Sequence, residues 1–473
     1  MESVAEEIVW EILLKLPTRD AFRCRCVSRQ WRGILTDPSF IDLHIHSAHI
    51  IAGFGGEALV VTEIRSLRTG LEMAVIDRSS GKPMCRVTGL ASWYRPTHAC
   101  NGFLLVAADM KDSPVYVCNP VTGEKQNILP PPESEDVYSR RYAMGFIPST
   151  GQYKLFRLCF RHYGGWPETW VNYMEVYTFG EEGGGPWRRH QNMFPYSMVP
   201  RVQRLPPVLV DGKLYVLMEG MENRWVPKPD RMLVIDVASE AHVTYRLPEE
   251  FTGENTASVY AFELDGRLCV ARRVAKKQLV HFLVMEPPRI KLQDHKKGRS
   301  LYGRWELRYT FNIDEFGGSD DGKLSSAWLD NDKMLRYRLG ESLYIYDTTK
   351  DDEWKMKNKK VGDFSWWDYQ IQLPVAPNDQ RWNVYGGYRP SLLSPHHLVS
   401  RRNEDGQEFH HVFGRNDDGQ EQFEHALAHA LRWKQSANKR CSTCPPDSDN
   451  YRVSAAKRLR VSITQYLINL LAG

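Results

Sequence analysis

Residues able to do chemistry occur in this chain, but they do not converge. His425 and His429 stand at i, i+4, a spacing that sets two imidazoles on one helix face within reach of a metal. Ala426 follows the first histidine, so the metalloprotease arrangement with its general-base glutamate is absent. Cys441 and Cys444 form one CxxC without a second pair, and two thiolates do not complete a tetrahedral zinc site. His396-His397 and His410-His411 have no ligand partners at ordered spacing. Gly183-Gly184-Gly185 lies beside Pro186 and reads as a flexible insertion, not a phosphate cradle. No hydrolase elbow or dinucleotide fingerprint stands at a strand-to-helix junction. No catalytic residue, metal or cofactor is therefore expected.

Binding candidates are more numerous. The stretch from Arg161 to Trp170 carries His162, Tyr163, Trp166 and Trp170, and that from Met221 to Pro229 carries Trp225. Both are aromatic and rich in Gly or Pro, and both read as long loops, where binding tends to reside. The same aromatics can instead fold back and bury their area on the domain that bears them.

Composition limits the partners. The net charge of +4 over 473 residues gives no case for nucleic acid, which needs clustered Lys and Arg. Nine Cys without regular spacing do not form a disulfide framework. The start Met-Glu-Ser-Val-Ala-Glu-Glu has no basic, then apolar, signal pattern, and no run reaches the roughly 18 to 20 apolar residues of a membrane span. A soluble protein of the cytoplasm and/or nucleus is expected, with no membrane partner. Lys439-Arg440 and Lys457-Arg458-Leu459-Arg460 supply a loose bipartite basic pattern for import.

The elements that must position a binding surface begin with helices. Val4, Ile8, Ile12 and Leu16 recur every four residues, with Ala5, Val9 and Leu13 widening the stripe, and Pro17 stops the helix. Thr18 suits the N-cap of a second helix carrying Phe22, Cys26 and Val27. Ser28 suits the cap of a third with Trp31, Ile34 and Leu35, and Asp37-Pro38 reads as cap plus first-turn proline before Phe40 and Leu43. So small a unit carries more apolar surface than it can bury alone.

The stretch Glu7 to Pro17, then Val27-Ser28-Arg29-Gln30-Trp31-Arg32, then Asp37-Pro38-Ser39-Phe40, resembles the F-box motif, with three blocks in order and at family spacing. The resemblance implies docking to a SKP-type adaptor and through it to a cullin scaffold. It places Ile8, Ile12, Leu13, Leu16, Pro17, Val27 and Trp31 in or directly beneath that interface. Many F-boxes carry Leu-Pro just before the first helix. Here Ser3-Val4 stands there, so part of the N-terminal contact is expected to be weaker.

From about residue 46 to 365 short apolar runs alternate with Gly, Asp, Asn and Pro, the pattern of many short strands. The aromatic share of 11% suits half-buried sheets. A unit recurs in which a tight turn precedes an apolar strand and a second strand follows. Opening turns are Asn101-Gly102, Asp211-Gly212 and Asp265-Gly266, pairs suited to type I′ hairpins, with weaker versions at Gly55-Gly56, Thr150-Gly151 and Asn331-Asp332. Second strands are Ala74 to Asp77, Val115 to Asn119, Met174 to Tyr177, Leu233 to Asp236, Phe282 to Met285 and Leu343 to Asp347. The fold class expected is mainly β with a small all-α N-terminal module: helices, then an irregular six-bladed β-propeller, then a partly helical tail. A run of hairpins in a sandwich is the other architecture this pattern fits.

The phrase Val117-Cys118-Asn119-Pro120-Val121-Thr122-Gly123, followed by Leu129-Pro130-Pro131-Pro132, resembles the F-box-associated domains of plant proteins, over about residues 95 to 350. Tyr388-Arg389-Pro390-Ser391-Leu392-Leu393-Ser394-Pro395 resembles a phrase found late in many of them. A standard kelch repeat is not matched. Residues 366–435 read as a closing segment, with Trp366-Trp367-Asp368-Tyr369 as its strand and an amphipathic helix after it, and 436–473 as a polar linker and C-terminal helix. The resemblance implies a non-catalytic substrate receptor of an SCF-type ubiquitin ligase, with an unknown protein as target. A carbohydrate-binding or scaffold propeller outside a ligase is the alternative.

Overall fold

The computed structural model describes residues 6–399 apart from connections between elements, the longest at 191–205, 220–228, 287–303, 313–323, 350–358 and 364–380. Two compact units result. The first comprises the N-terminal helices together with Ser391–Leu393, and the second holds all the strands.

The helical unit contains α1 (Glu6–Lys15), α2 (Thr18–Cys24), α3 (Arg29–Thr36) and α4 (Pro38–Ala52). Pro17 ends α1 and is itself the N-cap of α2, with φ −53° and ψ 143°. Thr18, expected as that cap, is instead the first helical residue and is buried. The extended ψ of Pro17 aims its carbonyl into the new helix, where it accepts from Asp20 and Ala21 N–H at 2.9 Å each. Ser28 does cap α3, its Oγ accepting from Trp31 N–H at 3.0 Å. Asp37 Oδ1 accepts from Ser39 and Phe40 N–H at 2.8 and 3.3 Å, and Pro38 opens α4 where its missing donor costs nothing. α4 runs to Ala52, past the boundary expected near residue 45.

The second unit is antiparallel throughout. β1 (Glu57–Ser66), β2 (Gly70–Ile76) and β3 (Pro83–Leu90) begin it, followed by a sheet of β4 (Tyr94–Cys100), β5 (Phe103–Ala108), β6 (Val115–Cys118) and β7 (Lys125–Ile128). Next come β8 (Ser139–Ile147), β9 (Gln152–Tyr163), β10 (Thr169–Thr178) and β11 (Arg188–His190), then β12 (Val208–Val210), β13 (Lys213–Glu219), β14 (Pro229–Asp236) and β15 (His242–Arg246). A short helix, α5 (Glu249–Thr252), leads to β16 (Thr256–Leu264), β17 (Arg267–Val274), β18 (Leu279–Met285) and β19 (Trp305–Asn312). The sheet of β20 (Leu324–Leu329), β21 (Met334–Leu339), β22 (Ser342–Asp347) and β23 (Lys359–Asp363) follows, and then β24 (Arg381–Tyr388) and α6 (Pro395–Val399).

Five sheets thus follow one plan of four consecutive strands, and one does not. β24 pairs with β1, giving a composite sheet ordered β24-β1-β2-β3. The expectation of six blades read in chain order is corrected to five, because the remaining sheet is composite and takes its first strand from the far end of the domain. Trp366 to Tyr369, expected as the closing strand, lies outside the described residues. The first strands meet in a ring: β24 touches β4, β4 touches β8, β12 touches β16, β16 touches β20 and β20 touches β24, while β8 touches β13 of its neighbour. Radial closure hides sheet edges.

The turns explain the register. Asn101-Gly102, Asp211-Gly212 and Asp265-Gly266 all have positive φ at both residues, which only the I′ geometry requires. Each joins the first strand of a sheet to its second. The strands read from sequence as second are in fact third in every sheet, so each unit holds two more strands than expected. Asn119 to Gly123 is the turn from third to fourth strand: Asn119 Oδ1 accepts from Val121 N–H at 2.8 Å, and Gly123 has φ 74°. Asp236 to Glu240 repeats it, with Asp236 Oδ1 accepting from Ser239 N–H at 2.8 Å and Glu240, not glycine, at φ 61°.

Apolar clusters fill the spaces between successive sheets. One joins β16–β19 to β20–β22 through Phe282, Phe311, Tyr337 and Tyr344, and others join β8–β10 to β13–β14 and β12–β14 to β16–β18. Tyr388 of β24 joins the cluster of β4–β6 and donates its Oη–H to the Gly102 carbonyl at 3.3 Å.

Candidate docking surfaces

The four helices share one core. α1 contributes Val9, Trp10, Leu13 and Leu14, α3 contributes Ile34 and Leu35, and Phe40 of α4 is fully buried, edge-on to Trp10 at 5.2 Å between centroids. His44 is buried beneath Leu16, its Nε2–H donating to the Leu16 carbonyl at 3.0 Å. Burial holds its pKa below the ordinary value, against the opposing effect of that hydrogen bond.

This core sorts the residues placed at an adaptor interface. Leu13 and Leu16 lie inside it, while Ile8 is 52% exposed and Pro17 is exposed. Ile12, Val27 and Trp31 are half-buried, the last two packed against the core with one side. Ile8 and Ile12 are one helical turn apart on α1. Exposed Ile8 and the half-buried Trp31, Val27 and Phe22 are apolar surface that the unit's own core leaves uncovered.

The aromatic stretches of the second unit fall differently. Arg161, His162 and Tyr163 end β9, and Thr169 and Trp170 begin β10, in a register that sets His162 opposite Trp170 and Tyr163 opposite Thr169. The expected loop from Arg161 to Trp170 is therefore largely a hairpin, because its β-prone ends continue the ladder. Trp166 and Trp225 lie outside the described residues, and Pro229 already pairs with Glu219 in β14. In a four-strand antiparallel plan the connection from second to third strand lies at the end where the first strand starts. That end carries the β9–β10 and β13–β14 hairpin tips and also Trp93 and Met110, which are 48% and 47% exposed.

Sequence reasoning missed a charged assembly on this unit. Glu175 of β10 accepts from Arg157 at 2.8 Å and from Arg189 at 2.9 Å, with the Arg157 and Glu175 side chains both buried. Glu240 accepts from Lys154 at 2.7 Å, Arg188 at 2.6 Å and His190 at 2.6 Å. Burial pushes the Glu240 carboxyl up, but hydrogen bonds from Lys154 and His190 and the nearby positive charges outweigh it and hold it below its usual range. The alternation Arg188, Arg189, His190 in so short a strand was the available signal, since successive side chains point to opposite faces. The network fastens the edge strand β11 and offers no open site. Among the described residues no group of three or more His, Cys, Asp and Glu is placed to hold a metal. His396 Nδ1 bonds Gln126 Oε1 at 2.8 Å, and His410, His411, His425, His429, Cys441 and Cys444 lie outside the described residues.

Residues 4–43 match the model of the F-box domain, and residues 76–289 match that of the F-box associated beta propeller domain. The chain carries an F-box followed by an F-box-associated β-propeller. A putative F-box protein of Arabidopsis thaliana is 23% identical over 382 residues, covering 78% of this chain and 76% of that protein. An F-box/kelch-repeat protein of the same plant is 24% identical over 66% of this chain and 67% of its own length. The chain spans only 43%, 59% and 54% of three other Arabidopsis F-box proteins. The four helices are thus the F-box and the ring of sheets is the propeller.

Proposed function

We propose that this protein is a substrate receptor of an SCF-type ubiquitin ligase, whose F-box docks a SKP-type adaptor and, through it, a cullin, and whose propeller binds a target protein. The observation that carries the reading is the uncovered apolar surface of the F-box, where Ile8 is 52% exposed above a core of Leu13 and Leu16. A buried aromatic flanked by aliphatics anchors protein interfaces, and Trp31 with Val27 and Ile12 has that composition. On the propeller, the end bearing His162, Tyr163, Trp170 and Trp93 is the face proposed to meet the target.

The test is co-purification of the full chain with a SKP-type adaptor and a cullin. Ile8→Glu and Trp31→Ala are expected to abolish capture of both while leaving the helical circular-dichroism signal intact. Leu16→Asp is the poorer probe, since that side chain is buried and its change unfolds the unit. Wild-type capture by both variants overturns the adaptor assignment. Capture of adaptor without cullin moves the reading to a scaffold outside a ligase.

A further inference from the structure

The F-box core contains a residue that no contiguous F-box motif includes. Leu392 is 1% exposed and belongs to the same apolar cluster as Trp10, Leu13, Leu35 and Phe40. Leu393 packs half-buried against that cluster, and Ser391 is buried. These three residues group with the helices and not with the propeller, although in sequence they follow closely on β24. They sit inside the phrase Tyr388 to Pro395, whose other assigned contacts, Tyr388 to Gly102 and Arg389 to Glu263 at 3.2 Å, are within the propeller.

We propose that Ser391–Leu393 is a fifth, non-contiguous piece of the docking module, with Leu392 as the positioning residue that holds the adaptor-facing helices in their docking arrangement. The proposal rests on the adaptor reading above for its partner. The physical case is one of core size. The four helices span only some fifty residues, near the limit of what a single core sustains. Every fully buried aliphatic side chain therefore weighs heavily in it. α1 presents Ile8 and Ile12 outward while Val9, Leu13 and Leu14 face the cluster that Leu392 completes. Emptying the Leu392 site leaves a cavity beside those residues, and the helix relaxes into it. Only the fraction of molecules that keep the docking arrangement binds, so the apparent affinity for the adaptor falls by that fraction.

The experiment uses the full chain, a purified SKP-type adaptor, and the variants Leu392→Ala, Leu392→Met and Ile8→Glu, with adaptor affinity and amide hydrogen exchange both measured. Expected for Leu392→Ala is a loss of roughly tenfold or more in affinity together with faster exchange over residues 6–15, while exchange in β5 is unchanged. Leu392→Met, close in volume, restores both readouts. Ile8→Glu loses affinity without faster exchange, which separates a contact from a support. Wild-type affinity in Leu392→Ala, or unchanged exchange in α1, overturns the proposal. If the wild-type chain does not bind the adaptor, the adaptor reading fails. The exchange comparison then still decides whether Leu392 completes the helical core.

Discussion

In the F-box unit one apolar cluster serves four helices and a leucine from far along the chain, whereas the propeller repeats a separate cluster between neighbouring sheets. The two arrangements handle surplus apolar surface in opposite ways. A sheet in the ring has a neighbour on each side, so alternate residues on both faces are covered, and all six residues of β5 are buried. The helical unit has no repeat to share with, and Ile8, Phe22, Val27 and Trp31 stay partly open. Repetition makes the propeller self-sufficient in its cores, and the lack of it leaves the F-box with apolar surface that its own core does not cover. Among the described residues each unit also holds one buried histidine, and these are wired differently. His44 donates to a carbonyl, but His98 of β4 accepts, through Nδ1, the N–H of Met144 in β8 at 3.1 Å.

The largest effect expected from breaking this contrast lies in the Arg157–Glu175 pair of the propeller, the most deeply buried ion pair among the described residues. Glu175→Ala takes the carboxylate away from the Arg157 guanidinium, whose side chain is 0% exposed, and removing one partner of such a pair typically costs about 3–5 kcal/mol. Urea unfolding followed by the β-sheet dichroism signal measures it. The double change Arg157→Met with Glu175→Leu is expected to recover most of that loss, since an apolar pair of similar volume suits the site. A small effect of Glu175→Ala would mean that the sheets tolerate charge inside them.

Acid sharpens the contrast between the two histidines. Burial lowers the pKa of His98 from 6.5 to about 4. Its depressed pKa makes the stability it contributes complete above pH 6.5, and that stability drains away as pH falls from 6.5 to 4, because only the unfolded chain takes up the proton. The loss approaches about 3 kcal/mol at pH 4. Protonating Nδ1 also turns the acceptor for Met144 N–H into a donor, so β4 loosens from β8. His98→Gln, which keeps an acceptor, is expected to flatten the stability–pH curve over that range, measured by thermal unfolding at each pH. His44 shifts in the same direction, but its donated bond to Leu16 survives protonation. His44→Gln should therefore leave the contact pattern of the ring untouched.

How much of this was legible follows from the same division. The F-box helices, the Ser28 and Asp37 caps and the stop at Pro17 were readable because local rules decide them within a few residues. In the propeller, the Asn-Gly and Asp-Gly turns betrayed first-to-second hairpins, and the apolar third strands stood out. The first strands are less uniform: burial alternates along β4, but its buried face carries Pro96 and His98 between Tyr94 and Cys100, so the alternation is not an apolar one in sequence. Several fourth strands are short and polar, like Lys125–Ile128 and Arg188–His190, since they form the rim. β24 was missed because its partner β1 lies more than three hundred residues away, and no local pattern encodes that pairing. Leu392 was missed for the same reason. The apolar residues of α1 were readable as a stripe, but their sorting into Leu13 inside and Ile8 outside depends on where the other helices lie.

Close packing gives a smaller test of the ring. A Cβ on Gly145 of β8 would lie 2.7 Å from Val237 Cγ2 and 2.9 Å from Phe156 Cε2. Both of those side chains are fully buried, so neither has room to retreat. Gly145→Ala is expected to destabilise the propeller by about 1–3 kcal/mol, seen as a lower urea midpoint. An unchanged midpoint would show that this intersheet space is looser than its contacts indicate.

The smallest expected effect probes the F-box in the same currency. Ser28 Oγ takes the Trp31 N–H at the start of α3, and losing such a cap costs about 1 kcal/mol. In the propeller a change of that size is diluted among several cores. In a unit with one core it bears directly on Trp31, whose backbone it anchors and whose half-buried ring faces the proposed adaptor. Ser28→Ala is therefore expected to weaken adaptor binding by a few-fold while Ser28→Asp, which keeps a capping oxygen, does not. Equal affinities for the two variants, measured by calorimetric titration with the adaptor, would mean that the Trp31 contact is set by packing against the core and not by the start of its helix.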